Sequence, residues 1–375
     1  MIKGWEYIRF GDLFDYENKS KIKAGEGVKL GRYPFYTSSA DLTKFINDFQ
    51  FDKTSLIFGT GGNASIHYSE TPFSVSTDCL VAFPKDKKIV EIKYVYYYIL
   101  GNINLLKEGF KGAGLKHISK GYINEIIIPL PSITIQKSIV KILDTSSALN
   151  RKNNEILKKY DELLLAVFTD IFGDPVKNNK SWALKPLSAF GKIKTGNTPK
   201  RSENKFYNSK CIEWIKTDNI LENNLNISIA KEYLSNDGAK VGRTTFSGSL
   251  LVTCIAGSIE SIGRAALTNR EVAFNQQINC IEPNEKVNSI FLYFLFKCSM
   301  KYIQSNSSNG MKRMISKGVF EKINMILPDI ETQKKFEINA LQILLQLNNI
   351  KKVVELGNDL HDSLTKKAFK GELLA

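Results

Sequence analysis

Ser119-Lys-Gly-Tyr-Ile-Asn-Glu-Ile-Ile-Ile-Pro-Leu-Pro-Ser-Ile-Thr-Ile-Gln-Lys137 returns 197 residues later as Ser316-Lys-Gly-Val-Phe-Glu-Lys-Ile-Asn-Met-Ile-Leu-Pro-Asp-Ile-Glu-Thr-Gln-Lys334, with nine of nineteen positions identical and no gap. Self-similarity at a fixed offset marks a duplicated structural unit. The same offset carries the aromatic run 94–98 onto 291–295, and Leu163, Val167 and Phe172 onto Leu360, Leu364 and Phe369. Upstream the match needs small shifts, with Trp5 opposite Trp182, Ser55-Leu56 opposite Ser249-Leu250 and Pro84 opposite Pro283. The chain reads as a tandem duplication whose second copy is longer in its first half.

Each copy divides at its exit proline. The larger part alternates short β-branched runs (55–58, 77–83 and 123–128; 250–255 and 277–281) with Gly, Asn and Pro punctuation, and adds an aromatic helix near 93–100 or 288–297. This pattern predicts a mixed α/β module with a mainly antiparallel sheet. After Pro131, Ile135, Ile139, Ile142, Ser146, Leu149, Asn153, Ile156, Tyr160, Leu163 and Val167 alternate spacings of four and three, a heptad seam. Phe336, Ala340, Ile343, Leu347, Ile350, Val354, Gly357, His361 and Leu364 repeat it after Pro328. Two seams of that length are too long to lie on their own modules, so the helices are expected to pair. A two-fold relation between copies would run them antiparallel with a module at each end, and Ser146 and Asn153 would help fix the register. The expected class is α+β, with modules at 1–130 and 177–327 and helical spacers at 131–176 and 328–375.

The 375 residues exceed the roughly 250 to 300 at which one core stops growing. Apolar residues at 43% and charged residues at 24% exclude a disordered or collagen-like chain. No apolar run reaches the roughly 18 residues that span a bilayer, and the first residues have no secretory h-region, so the cytoplasm is expected. Cysteines 79, 211, 254, 280 and 298 form no Cys-x-x-Cys signature and read as reduced core thiols, and the three histidines are too scattered for a metal centre. Fifty-two Lys and Arg against thirty-eight Asp and Glu leave +14, which points to a polyanion, nucleic acid before membrane. The modules hold all of it: 17 basic and 14 acidic residues in 1–130, 22 and 11 in 177–327, while the spacers are balanced at 6 and 6 and at 7 and 7.

This order of elements resembles the specificity subunits of type I restriction-modification enzymes. The likeness rests on the module exits Gly114-Leu-Lys-His-Ile-Ser-Lys120 and Met311-Lys-Arg-Met-Ile-Ser-Lys317, on the Leu-Pro strands and Gln-Lys pairs that follow them, on Ile171-Phe-Gly-Asp-Pro175, on Lys194-Thr-Gly-Asn-Thr-Pro199, and on Lys367-Ala-Phe-Lys-Gly-Glu-Leu373. It covers the whole chain. What it implies is a non-catalytic DNA-binding subunit whose two target recognition domains each read one half of an interrupted, asymmetric double-stranded site. It also implies that the helical regions act as spacer and dock two methyltransferase subunits, which carry the S-adenosylmethionine, and to which a nuclease-translocase can add. No cofactor is implied on this chain. The family's acidic position after the exit proline is Asp329 in the second copy but Ser132 in the first.

Two constellations keep a catalytic alternative, a DNA methyltransferase or nuclease, in view beside a stand-alone DNA-binding regulator. Phe58-Gly-Thr-Gly-Gly62 looks like a loop that cradles S-adenosylmethionine, yet its counterpart Thr253-Cys-Ile-Ala-Gly257 does not repeat it, and a glycine-rich turn between strands explains it. Asp78 with Glu91-Ile-Lys93 mimics a magnesium nuclease cluster, but Lys93 opens the aromatic helix. DNA contacts are expected in polar loops: Lys21, Lys23, Arg32, Tyr36, Ser38, Lys111, Lys116 and His117 in the first module. In the second they are Lys194, Thr198, Lys200, Arg201, Lys216, Asp218, Asn219, Gln276, Gln277, Lys312 and Arg313. Lysine and arginine on phosphates supply affinity, whereas Asn, Gln, Arg and Asp at base edges supply sequence.

Overall fold

The structure, a computed structural model, describes residue 2 and residues 4–308 and 313–374. It forms two compact units, residues 1–155 with 351–375 and residues 156–350. No helix among the described residues is long and apolar enough to cross a membrane.

Unit one is built on an antiparallel sheet in the order Phe14–Tyr16, Cys79–Pro84, Ser55–Gly59, Ser65–Ser69. All five residues of Ser55–Gly59 are buried, and their side chains alternate between two cores as a pleated strand requires. Leu56 and Phe58 join Phe10, Phe14 and the helix Ile92–Gly101, while Ile57 joins Tyr36, Phe73 and Val81 under the smaller sheet of Phe45–Ile46, Tyr33–Tyr36 and Ser74–Val75. Phe10 stacks on Phe14 with ring centres 4.3 Å apart and meets Phe58 edge-on at 5.4 Å.

Unit two repeats this plan. Its antiparallel sheet runs Gly191–Thr195, Ile278–Pro283, Leu250–Thr253, Ala265–Leu267, and Leu250 and Val252 face the helix Ser289–Cys298 while Leu251 faces a second core with Ile215 and Phe274. The extra length of this copy builds a larger second sheet: Tyr233–Leu234, Ile212–Ile215, Val272–Phe274, Thr244–Thr245. One of its pairings, Ile212–Ile215 with Val272–Phe274, is parallel, as is Tyr33–Tyr36 with Ser74–Val75 in unit one. Arg270 clips this sheet to Glu213 through two hydrogen bonds, Nε to Oε1 at 2.8 Å and NH2 to Oε2 at 2.5 Å.

The repeated exit sequence has the same job in both units. Ser119 and Ser316 cap the short helices Lys120–Asn124 and Lys317–Lys322 by accepting hydrogen bonds from Tyr122 N and Val319 N. The strands Ile127–Leu130 and Asn324–Ile326 then pair antiparallel with Glu6–Arg9 and Leu184–Pro186. Finally Gln136 and Gln333, both fully buried, tie the first turn of each long helix to the approach of the aromatic helix. Gln136 Nε2 donates to Ile89 O (2.9 Å) and Pro131 O (2.8 Å), and its Oε1 accepts from Glu91 N (2.9 Å). Gln333 does the same with Lys286 O (3.0 Å), Pro328 O (2.7 Å) and Asn288 N (2.8 Å).

The long helices are Ile133–Phe172 and Ile330–Phe369, 40 residues each. In unit one Ser146 meets His361 Nδ1 at 3.3 Å and Asn150 Nδ2 donates to Gly357 O at 3.0 Å, so numbers rise along one helix as they fall along the other. In unit two Phe168 and Phe172 pack on Phe336, late turns against an early one, in the same antiparallel sense. A Cβ on Gly357 would stand 2.3 Å from Asn150 Oδ1, so a larger residue there would displace the Asn150 side chain from its hydrogen bond to Gly357 O. All nine seam positions expected on the second helix are buried or half-buried.

Three expectations need correction. On the first helix Ile139, Ser146, Asn153 and Tyr160 face inward as expected, but Leu149, Ile156 and Leu163 are exposed, and Asn150, Leu157 and Leu164 take their places. Leu143 likewise lies deeper than Ile142. Apolar residues occur in both phases at 142/143, 156/157 and 163/164, so periodicity alone does not choose between them; the cores do, by taking in Leu143, Leu164, Phe168 and Phe172. The run 123–128 is not one strand: Ile123 lies on the capped helix and pairing starts at Ile127. Cys211 is exposed, unlike the buried Cys79, Cys254 and Cys280, whose thiols burial pushes up to about 11, 12 and 12.

Gln136→Leu and Gln333→Leu should each leave one buried and two partly buried backbone groups unpaired and cost about 2–4 kcal/mol. Urea unfolding followed by the emission of Trp5 for unit one and of Trp182 and Trp214 for unit two checks this, with exposed Lys137→Ala expected within about 0.5 kcal/mol of the parent chain. Acid gives a second test. Arg270 holds the Glu213 carboxyl below its ordinary value of 4.5, so the pairing stabilises above that pH and its contribution is lost as pH falls through the depressed value. Glu213→Gln should therefore lower stability most at pH 7, with the deficit shrinking below pH 4.5 in urea titrations across that range.

Candidate nucleic-acid interface

In unit two the fold gathers three polar segments that are far apart in sequence. The loop after strand Gly191–Thr195 crosses the turn after Val272–Phe274: Gly196 N donates to Ile278 O (3.0 Å), Asn197 N to Phe274 O (3.1 Å), and Thr198 Oγ1 bonds Gln276 Oε1. A Cβ on Gly196 would meet Asn275 O at 2.1 Å, which is why a glycine stands there. The third segment enters through Asn275 N, which donates to Ile215 O (3.0 Å), and through Trp214 Nε1, which donates to Asn197 O (3.3 Å). Thr198, Arg201, Lys216, Gln276 and Gln277 thus share one neighbourhood.

Their environments differ. Thr198, Lys200, Arg201, Asp218 and Gln276 are exposed. Lys200 pairs with Glu203 at 3.6 Å. Lys194 is half-buried, bound to Glu282 and donating to Thr244 O at 3.2 Å, and so serves the sheet interior. Asn219 is buried with both ends of its amide engaged: Oδ1 accepts from Lys216 N (3.0 Å) and Nδ2 donates to Ser228 Oγ and Ile229 O (each 3.1 Å). Gln277 braces the turn, its backbone oxygen accepting from Cys254 N (2.8 Å) and its Oε1 from Asn275 Nδ2 (3.0 Å). Arg313 is half-buried on the strand Arg313–Met314, which pairs with Ile255–Ala256. Lys312 lies outside the described residues.

Unit one makes a smaller cluster around the hairpin turn between Ser55–Gly59 and Ser65–Ser69. The glycine-rich stretch is that turn. Ser38 Oγ donates to Asp78 O (2.7 Å) and accepts from Gly61 N (3.2 Å), Gly62 N donates to Lys116 O (3.0 Å), and His117 Nδ1 lies 3.2 Å from Thr60 O. Lys111 pairs with His117 through two backbone hydrogen bonds of 2.9 Å. A Cβ on Gly59 would stand 2.2 Å from Ser65 Oγ, so close packing accounts for the glycine. Ser38, Lys111, Lys116 and His117 therefore converge, with Lys21 and Lys23 exposed on a neighbouring segment whose Ile22 O accepts from Thr77 N. Tyr36 is buried against Phe73 and His67, and Arg32 stands at the other end of the strand Tyr33–Tyr36, 5.4 Å from the Tyr33 ring centre. The nuclease-like trio is dispersed: Lys93 Nζ binds Asp144 at 2.9 Å, and Asp78 offers its backbone oxygen to Thr60 and Ser38.

Sequence reasoning missed Glu232, Tyr207, Trp214 and Arg243. Glu232 binds both Lys216 and Arg201 (2.6 Å), whose hydrogen bonds hold its carboxyl below the ordinary range. Arg243 N donates to Asn197 Oδ1 at 2.7 Å. None carries a local motif; the aromatic pair beside a basic loop was the available signal. Among the described residues no cluster of His, Cys, Asp and Glu could hold a metal ion.

Known proteins resemble this chain in sequence and in fold. The type I restriction enzyme EcoDI specificity subunit of Escherichia coli is 26% identical over 160 residues, 43% of this chain but 35% of that relative, so the chain spans about a third of its length. The MjaVIII specificity subunit of Methanocaldococcus jannaschii is 24% identical over 366 residues, covering 88% of this chain and 84% of the relative. The crystal structure of a type I restriction-modification S subunit from M. genitalium superposes with a TM-score of 0.67 at 15% identity over 97% of this chain and 96% of its own, a likeness of fold. The profile described as type I restriction modification DNA specificity domain matches residues 2–159 and again 179–355. Two matches, one for each copy of a sequence that repeats its own caps, exit strands and glutamine ties, make this chain a member of the type I restriction-modification DNA specificity domain family.

Proposed function

We propose that this chain is the non-catalytic DNA-recognition subunit of a type I restriction-modification complex. Residues 1–130 and 177–327 act as two target recognition domains, each reading one half of an asymmetric, interrupted duplex site. The observation that carries this reading is the convergence of the 195–201 loop, Lys216 and the 275–277 turn in unit two, polar segments anchored on a sheet with exposed donors among them. A rigid scaffold that presents Arg, Gln and Thr together can meet base edges, while exposed Lys and Arg around them meet phosphates. Since the two clusters share almost no side chains, their half-sites differ.

The long helices dock methyltransferase subunits, which bind S-adenosylmethionine and perform the methyl transfer. The charge balance of zero in 131–176 and 328–375 and the bare apolar side chains of the helices support this: Ile338, Leu341 and Leu345 within unit two, and Val353, Leu356 and Leu360 within unit one, are all exposed. Spaced i, i+3 and i+7 on the helix, each trio lines one face, and a contiguous exposed apolar patch marks an interaction site. A nuclease-translocase subunit joins through the same assembly, and the complex works in the cytoplasm.

Exchange of residues 177–327 for the module of another family member, followed by methylation-site mapping of the reconstituted complex, should change one half-site and leave the other; alteration of both would count against separate reading. The chain without partners should transfer no methyl groups to DNA in an assay with labelled S-adenosylmethionine. Leu345→Glu and Leu356→Glu, at positions 61% and 67% exposed, should leave stability and DNA binding unchanged but weaken association with methyltransferase subunits at least about tenfold, read by light scattering or pull-down titration.

A further inference from the structure

The carboxylate that binds two candidate cations has a role of its own. Glu232 Oε2 accepts a hydrogen bond from Arg201 NH2 at 2.6 Å, and its Oε1 accepts one from Lys216 Nζ. The Arg201 guanidinium carbon stands 4.7 Å from the centre of the Tyr207 ring and 4.6 Å from that of Trp214, and Lys216 Nζ stands 5.0 Å from the Trp214 ring. Both rings are held: Trp214 is buried with its Nε1 on Asn197 O, and the Tyr207 hydroxyl donates to Pro199 O at 2.6 Å. Carboxylate at one edge and two rings alongside restrict the guanidinium to one orientation.

Half of the Arg201 side chain is nevertheless exposed, whereas 30% of Lys216 is. Arginine has five N–H donors in a rigid plane, so a guanidinium held at one edge can still present others outward. Phosphate contacts need net charge and tolerate loose geometry; a base edge needs a fork held in place. A cation that shares a carboxylate is poor in the first respect and rich in the second. Resting on the reading that residues 177–327 recognise one half-site, we infer that Glu232 is a positioning residue for sequence discrimination: it aims Arg201 at the acceptor edge of a guanine and withholds Lys216 from phosphates.

Selection of duplexes from a randomised library by the full chain, with and without methyltransferase subunits, tests this when repeated with Glu232→Gln and Arg201→Lys. Binding of selected and of random duplexes is then measured across salt concentrations. The parent chain should select two separated half-sites. Glu232→Gln should lose about tenfold preference at one guanine of one half-site, keep the other half-site, and bind random duplex with a log-log salt slope steeper by about 0.9 as Lys216 is released to a phosphate. Arg201→Lys keeps the charge and should lose preference at the same guanine without steepening. An unchanged selected sequence in both variants, or uniformly weaker binding with no steeper slope in Glu232→Gln, would overturn the inference, the second by showing a merely structural carboxylate. If the parent chain selects no sequence at all, the recognition reading fails and the inference with it; a selective parent with indifferent variants sinks the inference alone.

Discussion

Two buried glutamines hold the architecture in its repeated form. Gln136 and Gln333 each satisfy two carbonyls and one amide that belong to three different places: the exit proline, the loop before the aromatic helix, and that helix's entry. A glutamine amide has donors and an acceptor at fixed separation, so it can close such a junction only if helix, strand and loop are already in register. The direction in which each long helix leaves its module follows from this junction, because the exit proline and the first turn are joined to the module core by the same side chain. Ile139 and Leu143 can then enter one core, and Phe336 and Ala340 the other.

The same constraint explains what is legible in the sequence. The repeat, the capping serines, the exit prolines and the Gln-Lys pairs are local, and both copies carry them, so self-comparison reveals them together with the α+β class. The aromatic helices are legible because Tyr and Phe occur at one offset in both copies. The seam of the first helix is legible only in part. Apolar residues stand side by side at 142/143, 156/157 and 163/164, and which member of each pair turns inward is decided by the core that accepts it. The larger second sheet of unit two is not legible, since Tyr233–Leu234 and Thr244–Thr245 are two-residue strands whose pairing is set by neighbours far along the chain.

The candidate interface divides on the same line. Loops rich in glycine and cations stand out locally, and those at 195–201 and 111–117 do lie in clusters. Their partners do not stand out: Glu282 lies 88 residues from Lys194, Glu213 lies 57 from Arg270, and Glu232 lies 31 from Arg201. An isolated carboxylate in a basic chain gives no signal until the fold brings it to a cation. Asn219 shows the converse, a polar residue in a promising loop whose amide is engaged by its own turn and by Ser228 and Ile229.

These pairings change what the net charge of the second module means. A lysine bound to its own glutamate adds nothing to the excess, so most of the +11 of residues 177–327 resides on other side chains, among them the exposed Lys192, Lys205, Lys210 and Lys231. The cations that sequence motifs single out and the cations that make the module basic are therefore largely different sets. Physical chemistry assigns them different work. Diffuse, solvated charge releases counterions from a polyanion and confers affinity without regard to sequence, whereas charge fixed by carboxylates and aromatic rings has little to add to affinity but keeps its geometry. The proposed reading of a duplex site calls on both, and the fold keeps them apart by pairing Lys194, Lys200, Arg201 and Lys216 with carboxylates while leaving Lys192, Lys205, Lys210 and Lys231 exposed to solvent.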